Sequence, residues 1–277
     1  MKHFFIGLLC LALALFACSS DQSSSIKPTP ENPTAPTPVE ENCLIKAISF
    51  ATSKYDFNYD SNQILDQINE TYGSTTNTYY VNHISTDSID IGLVQSDGSK
   101  GTPIISAKYQ NGDLIQVKRF YSATRYNYFI FEYSADKITV KQDYVSGSTY
   151  QNIAYADYFL DENGNAIATK IYKYDTSSAS NYTLFNEREN TYDIGNNPWK
   201  GIIYPTFLCQ NLPNAMFFSQ NNMITEIDKT RGATSNYSYE FDANNLTIKG
   251  LNKHPYSVCN ESNTLTEYYT YTNCYNY

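Results

Sequence analysis

The chain has 277 residues and carries 19 Lys and Arg against 28 Asp and Glu, a formal net charge of −9. That balance excludes nucleic-acid backbones and anionic membrane surfaces as electrostatic partners. Tyrosine is extreme at 27 residues, joined by 14 Phe, and with helix formers thin and Asn plentiful for turns, the fold class is all-β.

In chain order, Lys2 and the apolar run Phe4–Leu15 have the make-up of an export signal, which at about a dozen residues is too short to span a bilayer. The run closes on Leu15-Phe16-Ala17-Cys18, which resembles the lipobox of bacterial lipoproteins. The resemblance implies that residues 1–17 are removed and that Cys18 carries lipid, anchoring the protein to the outer membrane. Loss of Lys2 with the signal makes the mature chain still more acidic.

Residues 18–42 hold five of the ten prolines (Pro28, Pro30, Pro33, Pro36, Pro38) among Ser, Thr, Glu and Asn. Such a stretch cannot bury enough surface to offset its ordering entropy. It reads as a tether, extended by on the order of 3 Å per residue where polyproline-like. Ser19-Ser20-Asp21 resembles surface-export signals of Bacteroidota lipoproteins, which implies a position facing the cell exterior. Residues 43–277 remain for the folded part.

Four cysteines fall in that part: Cys43, Cys209, Cys259 and Cys274. An even number in an oxidising compartment favours disulfides, and no Cys-x-x-Cys spacing points to a metal or a thioredoxin-like centre. Asn260–Asn273 reads as a hairpin that would bring Cys259 to Cys274, leaving Cys43 for Cys209.

A six-residue frame recurs: an aromatic or apolar residue, a polar one, any residue, Asn/Asp/Gly, any residue, and an apolar one. It begins at Tyr59, Ile84, Tyr109, Tyr133, Phe218 and Phe241, with longer versions at Leu160 and Tyr192. The eight starts are 23 to 32 residues apart, with a period of about 25. Each frame reads as a hairpin tip. Asp60, Asp161 and Asp242 bond the backbone two residues on, while Asn62, Asn163 and Asn244 tolerate the left-handed conformation.

The expected fold is an antiparallel meander of about 14–18 strands, and a twisted sheet of that size curls or splits into layers. Tyr126–Tyr133, apolar or aromatic on both faces, is expected to be covered on both sides or at least to be central in the sheet. Asn197–Leu212, with prolines around it, breaks the pattern as a long connection with a short helix that covers a sheet edge or end.

Tyr59-Asp60-Ser61-Asn62 and Phe241-Asp242-Ala243-Asn244 resemble the Tyr-Asp turn of YD/RHS-type repeats. With the lipobox, the tether and the Cys43-Leu44-Ile45-Lys46 opening strand, they resemble uncharacterised Bacteroidota surface lipoproteins. The period is longer than in RHS arrays and the Gly-Arg-Leu after the turn is missing. The resemblance therefore implies a fold and an address, and no catalytic residues.

Catalysis is poorly provisioned. His83 and His254 sit in no nucleophile or metal motif, and there is no Gly-x-Ser-x-Gly, His-Glu-x-x-His or Gly-rich phosphate loop. The turn aspartates recur too regularly to be an acid–base pair. Asp56–Asn62 alternates oxygen ligands but lacks the Gly and the bidentate acid of a calcium loop. No cofactor and no metal are expected.

Asp87-Ser88-Ile89 resembles a Bacteroidota O-glycosylation sequon, though Asp87 also reads as a turn residue. Trp199, the single tryptophan, is the candidate ligand contact, by stacking on a sugar ring; the alternative is a Trp that plugs the end of the core. The functional expectation is a lipid-anchored, non-catalytic binding or scaffold module for polysaccharide or another surface protein. The alternatives are a carbohydrate-active enzyme and a purely structural envelope protein.

Overall fold

The computed structural model describes residues 43–178, 181–209, 212–253 and 264–272. The first eight strands are β1 (Leu44–Ser49), β2 (Ser53–Tyr59), β3 (Leu65–Tyr72), β4 (Thr75–Ser85), β5 (Ser88–Val94), β6 (Lys100–Gln110), β7 (Asp113–Ser122) and β8 (Arg125–Tyr133). They continue as β9 (Lys137–Ser146), β10 (Thr149–Leu160), β11 (Ala166–Tyr174) and β12 (Tyr182–Asn196). After a long excursion come β13 (Asn221–Asp228), β14 (Ala233–Phe241), β15 (Thr247–Lys253) and β16 (Thr264–Thr272).

Every strand pairs antiparallel with its sequence neighbours, and β1 pairs with β16 through Leu44↔Thr272, Ile48↔Tyr269 and Ser49↔Tyr268. The sheet therefore closes into a sixteen-stranded barrel. The expected meander is present, but the curled or split sheet is not. Closure leaves no edge to protect, so the Asn197–Leu212 connection has no edge to cover.

Six of the eight frames lie at hairpin turns, all at one end of the barrel, called here the near end. Three share one geometry. Asp60 Oδ1 accepts from the backbone N–H of Asn62 (2.8 Å) and Ile64 (2.9 Å). Asp161 Oδ1 accepts from Asn163 (2.9 Å) and Asn165 (2.8 Å). Asp242 Oδ1 accepts from Asn244 and Leu246, both at 2.9 Å.

The left-handed residue falls one place later than the frame suggests, at Gln63, Gly164 and Asn245 (φ 64°, 77° and 63°). Asn62, Asn163 and Asn244 point their N–H back at the aspartate, which moves the reversal to the next residue. The frames at Tyr192 and Phe218 are not hairpin tips; they are the end of β12 and the return into β13.

The aromatic at the head of a frame has its own task. Tyr59 OH donates to Ile45 O (2.8 Å), Tyr133 OH to Leu114 O (2.9 Å) and Tyr192 OH to Ala166 O (2.8 Å). Each satisfies a main-chain carbonyl on a neighbouring part of the wall. Burial pushes the hydroxyls of Tyr59, Tyr109 and Tyr133 up to about 12.

The wall is a single layer. Inward residues include Ile48, Ile68, Ile91, Val117, Phe129, Val140 and Tyr158, all nearly inaccessible. Outward positions carry cross-strand polar pairs: Lys137–Asp157 (3.3 Å), Lys170–Glu187 (3.9 Å), Lys249–Glu240 (2.5 Å), Lys141–Glu132 and Lys229–Glu189. Thr191 bonds Thr225 at 2.6 Å in the same way.

The outer face of β8 is only half-buried. It is covered not by a second layer but by Lys118, which lies 5.2 Å from the Tyr126 ring centroid and 5.6 Å from that of Tyr128. Farther round, Tyr155 stacks on its cross-strand partner Tyr172 at 4.5 Å. Cys43 is disulfide-bonded. Cys18, Cys259, Cys274, His254 and the side chain of Cys209 lie outside the described residues, as do the expected pairings.

Asp242→Ala removes two hydrogen bonds from an exposed turn and should cost about 1 kcal/mol in equilibrium denaturation. The Asp60 carboxyl is held below its ordinary value, chiefly by the Ile64 N–H. Its contribution to stability is complete above the unfolded value of about 4 and is lost as the pH falls through the lower folded value. Acid titration of stability should accordingly be shallower in Asp60→Asn. At the alkaline end, the raised values of Tyr59, Tyr109 and Tyr133 give stability that is complete below about pH 10 and lost toward pH 12. Tyrosinate absorbance should show these hydroxyls ionising only as the barrel unfolds.

Candidate functional site

Two features make the interior distinctive: a plug that enters from the near end, and a polar mouth at the far end. The plug is the excursion between β12 and β13. Asn197, itself buried, closes its base, with Nδ2 donating to Met216 O (2.6 Å) and Ser219 O (2.9 Å) while Oδ1 accepts from the Trp199 N–H (2.9 Å).

A short helix α1 (Ile203–Cys209) follows, with Tyr204 extended (φ −100°, ψ 125°) inside it. Tyr204 precedes Pro205, and proline drives the residue before it out of the helical region. The extended Tyr204 reaches β2–β4, where its hydroxyl donates to Glu70 Oε2 (3.1 Å). Tyr79 OH donates to the same oxygen (2.9 Å) and Tyr55 OH to Oε1 (3.1 Å). Burial, reinforced by this company, keeps the Tyr204 hydroxyl protonated far above its ordinary range.

Phe207 packs edge-on to Phe129 (5.1 Å between centroids) and Phe217 (5.6 Å), and Phe218 lies 4.6 Å from Tyr158. Tyr158 OH donates to Pro213 O at 2.5 Å. Asn214 caps a single 3-10 turn, Ala215–Phe217, through the Met216 N–H. The lumen around Phe129, Phe131 and Tyr158 is thereby filled with aromatic rings.

The far half changes character row by row. One inward row runs Phe131↔Val140↔Ala156 and is wholly apolar. The next runs Val117↔Phe129↔Gln142↔Ala154. The third is Arg119↔Asn127↔Tyr144. Beyond it a pocket of about 270 Å³ is lined by Tyr121, Arg125, Asn127, Gln142, Tyr144 and Ile153.

Arg125 Nε donates to Tyr144 OH (2.9 Å), Asn127 Nδ2 to Tyr121 OH (3.0 Å), and Arg119 lies 5.0 Å from the Tyr121 ring centroid. The remaining two arginines of the chain belong to the same half. Arg188 Nη1 bonds Glu226 (3.1 Å), and Arg231, in the β13–β14 turn, lies 3.9 Å from Asp228.

Trp199 is half-buried, with its indole N–H shared between Glu267 Oε2 (3.0 Å) and Tyr269 OH (3.1 Å) and its ring 6.2 Å from Phe50. It stands in the plug and is not among the residues that line the far-end pocket. Asp60, Asp161 and Asp242 are separated at different near-end turns, and His83 is an exposed residue bonded to Leu65 O. Among the described residues no three His, Cys, Asp or Glu side chains gather as a metal site.

Sequence reading missed the far-end pocket, whose residues come from β7 to β10. The available signal was compositional: the chain has four arginines, and Arg119 and Arg125 flank one turn.

The fold is that of a closed antiparallel barrel of sixteen strands with a folded-in plug. Solved structures similar in fold include a porin-like protein from Bacteroides vulgatus ATCC 8482 (TM-score 0.53, 12% identity, over 83% of this chain and 99% of that one), and another from Bacteroides uniformis ATCC 8492 (TM-score 0.52, 13% identity, over 82% and 98%). No family model and no curated protein matches the chain.

If the plug is part of the core, Phe207→Ala should destabilise the protein by about 3–5 kcal/mol, the range for a buried Phe. A melt of the variant within 1 kcal/mol of wild type would show instead that the plug is dispensable.

Proposed function

We propose that this protein is a lipid-anchored, non-catalytic binding module of the cell envelope, whose barrel stands in water rather than across the bilayer. The carrying observation is the polarity of the wall. A membrane-spanning barrel turns an apolar band outward and keeps a polar interior. Here Lys137, Lys141, Lys170 and Lys249 sit on the outer face in ion pairs, while the inner face is packed with Val, Ile and Phe. A lysine turned to lipid near the bilayer midplane costs about 2–4 kcal/mol, and several would weigh heavily on a marginally stable fold.

The similar structures are titled porin-like, which supports an address in the outer membrane region of a Bacteroides-type envelope. An open diffusion pore does not follow for this chain, because Tyr204, Phe207, Phe217 and Phe218 occupy the lumen. The lipobox-like segment ending at Cys18 supplies the anchor, and residues 19–42 the tether. A non-catalytic role agrees with turn aspartates held apart from one another. Binding of polysaccharide or a surface protein agrees with a polar pocket at the end opposite to where β1 begins.

Detergent phase partitioning of the full chain tests the reading. Wild type should enter the detergent phase and take up a fatty-acid probe, whereas Cys18→Ala should remain aqueous, folded and unlabelled. Recovery of folded Cys18→Ala in the detergent phase, or ion conductance across planar bilayers, would establish a spanning barrel instead.

A further inference from the structure

The far-end pocket combines features that a packed core does not need. Gln142 is 2% exposed and lines the pocket, yet its amide has no hydrogen-bond partner among the described residues. The amide is not among the buried atoms without a partner, so it opens onto the pocket, where its N–H and carbonyl are available to a ligand in place of water. Beside it, Asn127 is 4% exposed and holds Tyr121 in place.

Arg125 uses only Nε within the protein, on Tyr144, and its two terminal nitrogens form a free fork. Neither Arg125 nor Arg119 has a carboxylate partner among the described residues. In a chain of net charge −9, two inward arginines without acids are a local positive field in an acidic molecule. A guanidinium fork matches a carboxylate bidentately. Amides and tyrosine hydroxyls suit sugar hydroxyls, and tyrosine rings offer faces for a pyranose. The volume, about 270 Å³, is at the lower edge of ligand sites, which span about 300–1,000 Å³, and so suits one ring rather than an oligomer.

We propose that this pocket binds the carboxylate-bearing sugar of an acidic polysaccharide, one uronate ring seated on Arg125, Asn127, Gln142, Tyr121 and Tyr144. The carboxylate lies on the Arg125 fork, the ring hydroxyls meet the Gln142 and Asn127 amides, and Tyr121 and Tyr144 flank the ring. Rows of aromatic and aliphatic residues above the pocket close the lumen, so the chain end enters and stops there. This inference deepens the binding-module reading and depends on it.

The probes are trigalacturonate and a neutral galactose trisaccharide, titrated calorimetrically into the full-length Cys18→Ala protein. Trigalacturonate should bind at least tenfold more tightly than the neutral trimer, and its affinity should fall with added salt, as an ion pair requires. Arg125→Gln, at an exposed rim position, should abolish that preference, with Arg125→Lys restoring part of it. Gln142→Leu, with thermal melting as the check on folding, should weaken trigalacturonate several-fold while keeping the salt dependence. Equal binding of the neutral trimer, an unchanged affinity in Arg125→Gln, or no trigalacturonate binding at millimolar concentration would each overturn the proposal. In the last case a Cys18→Ala chain that is aqueous and folded leaves the water-facing barrel standing, so the two readings fail separately.

Discussion

The width of a sixteen-stranded barrel is the constraint from which the rest of this structure follows. Eight strands enclose a space that wall side chains fill by themselves, whereas sixteen leave an open channel. A wall with an apolar inner face cannot leave that channel to water without losing the burial that holds it together. The chain resolves this by sending Phe207, Phe217 and Phe218 of the β12–β13 excursion inside, where they meet Phe129, Phe131 and Tyr158. The plug has the polar anchors that its backbone requires, in Asn197 at its base and the Glu70 carboxylate at the reach of Tyr204.

Filling the lumen from one end makes the two ends unlike. The near end carries the aspartate turns, the plug's entry and the start of β1. At the far end, β7 to β9 carry polar rows. Charge follows the same division: lysines form cross-strand ion pairs on the outer wall, while the arginines gather toward the far end and three of the four face inward. A planar guanidinium can be held among tyrosine and amide groups at a partly dry mouth, which a compact, strongly hydrated ammonium tolerates poorly. The outer wall, meanwhile, is stabilised as a soluble sheet is, by opposed Thr, Lys–Glu and Tyr–Tyr pairs.

A similar fold does not fix which face of a barrel is apolar. The porin-like structures resemble this chain in fold at 12–13% identity, and a closed antiparallel barrel is compatible with either polarity because inward and outward residues alternate along every strand. Which face is apolar is decided residue by residue. Here Val140 faces in and Lys141 faces out at the middle of β9, the reverse of what lipid would require.

The sequence by itself determined what is local. Alternation along runs such as Ile138–Lys141, the aromatic bias and the recurring aspartate turns made an antiparallel hairpin meander and its approximate strand number legible, because each hairpin is built within about 25 residues. The turn chemistry was legible in its aspartate and off by one residue in its left-handed position, since the frame does not reveal which N–H the carboxylate captures.

Only the tertiary structure decided what depends on distant partners. Closure rests on Ile48 meeting Tyr269, more than two hundred residues apart in the chain, and no periodicity announces it. The segment around Trp199 read as a connection over a sheet edge or end because its prolines and irregularity say only that it is not a strand; the lumen it fills exists only once β1 has found β16. The far-end pocket was hidden for the same reason. Tyr121, Arg125, Gln142 and Tyr144 are unremarkable in their own strands, and register across those three strands brings their side chains to one cavity.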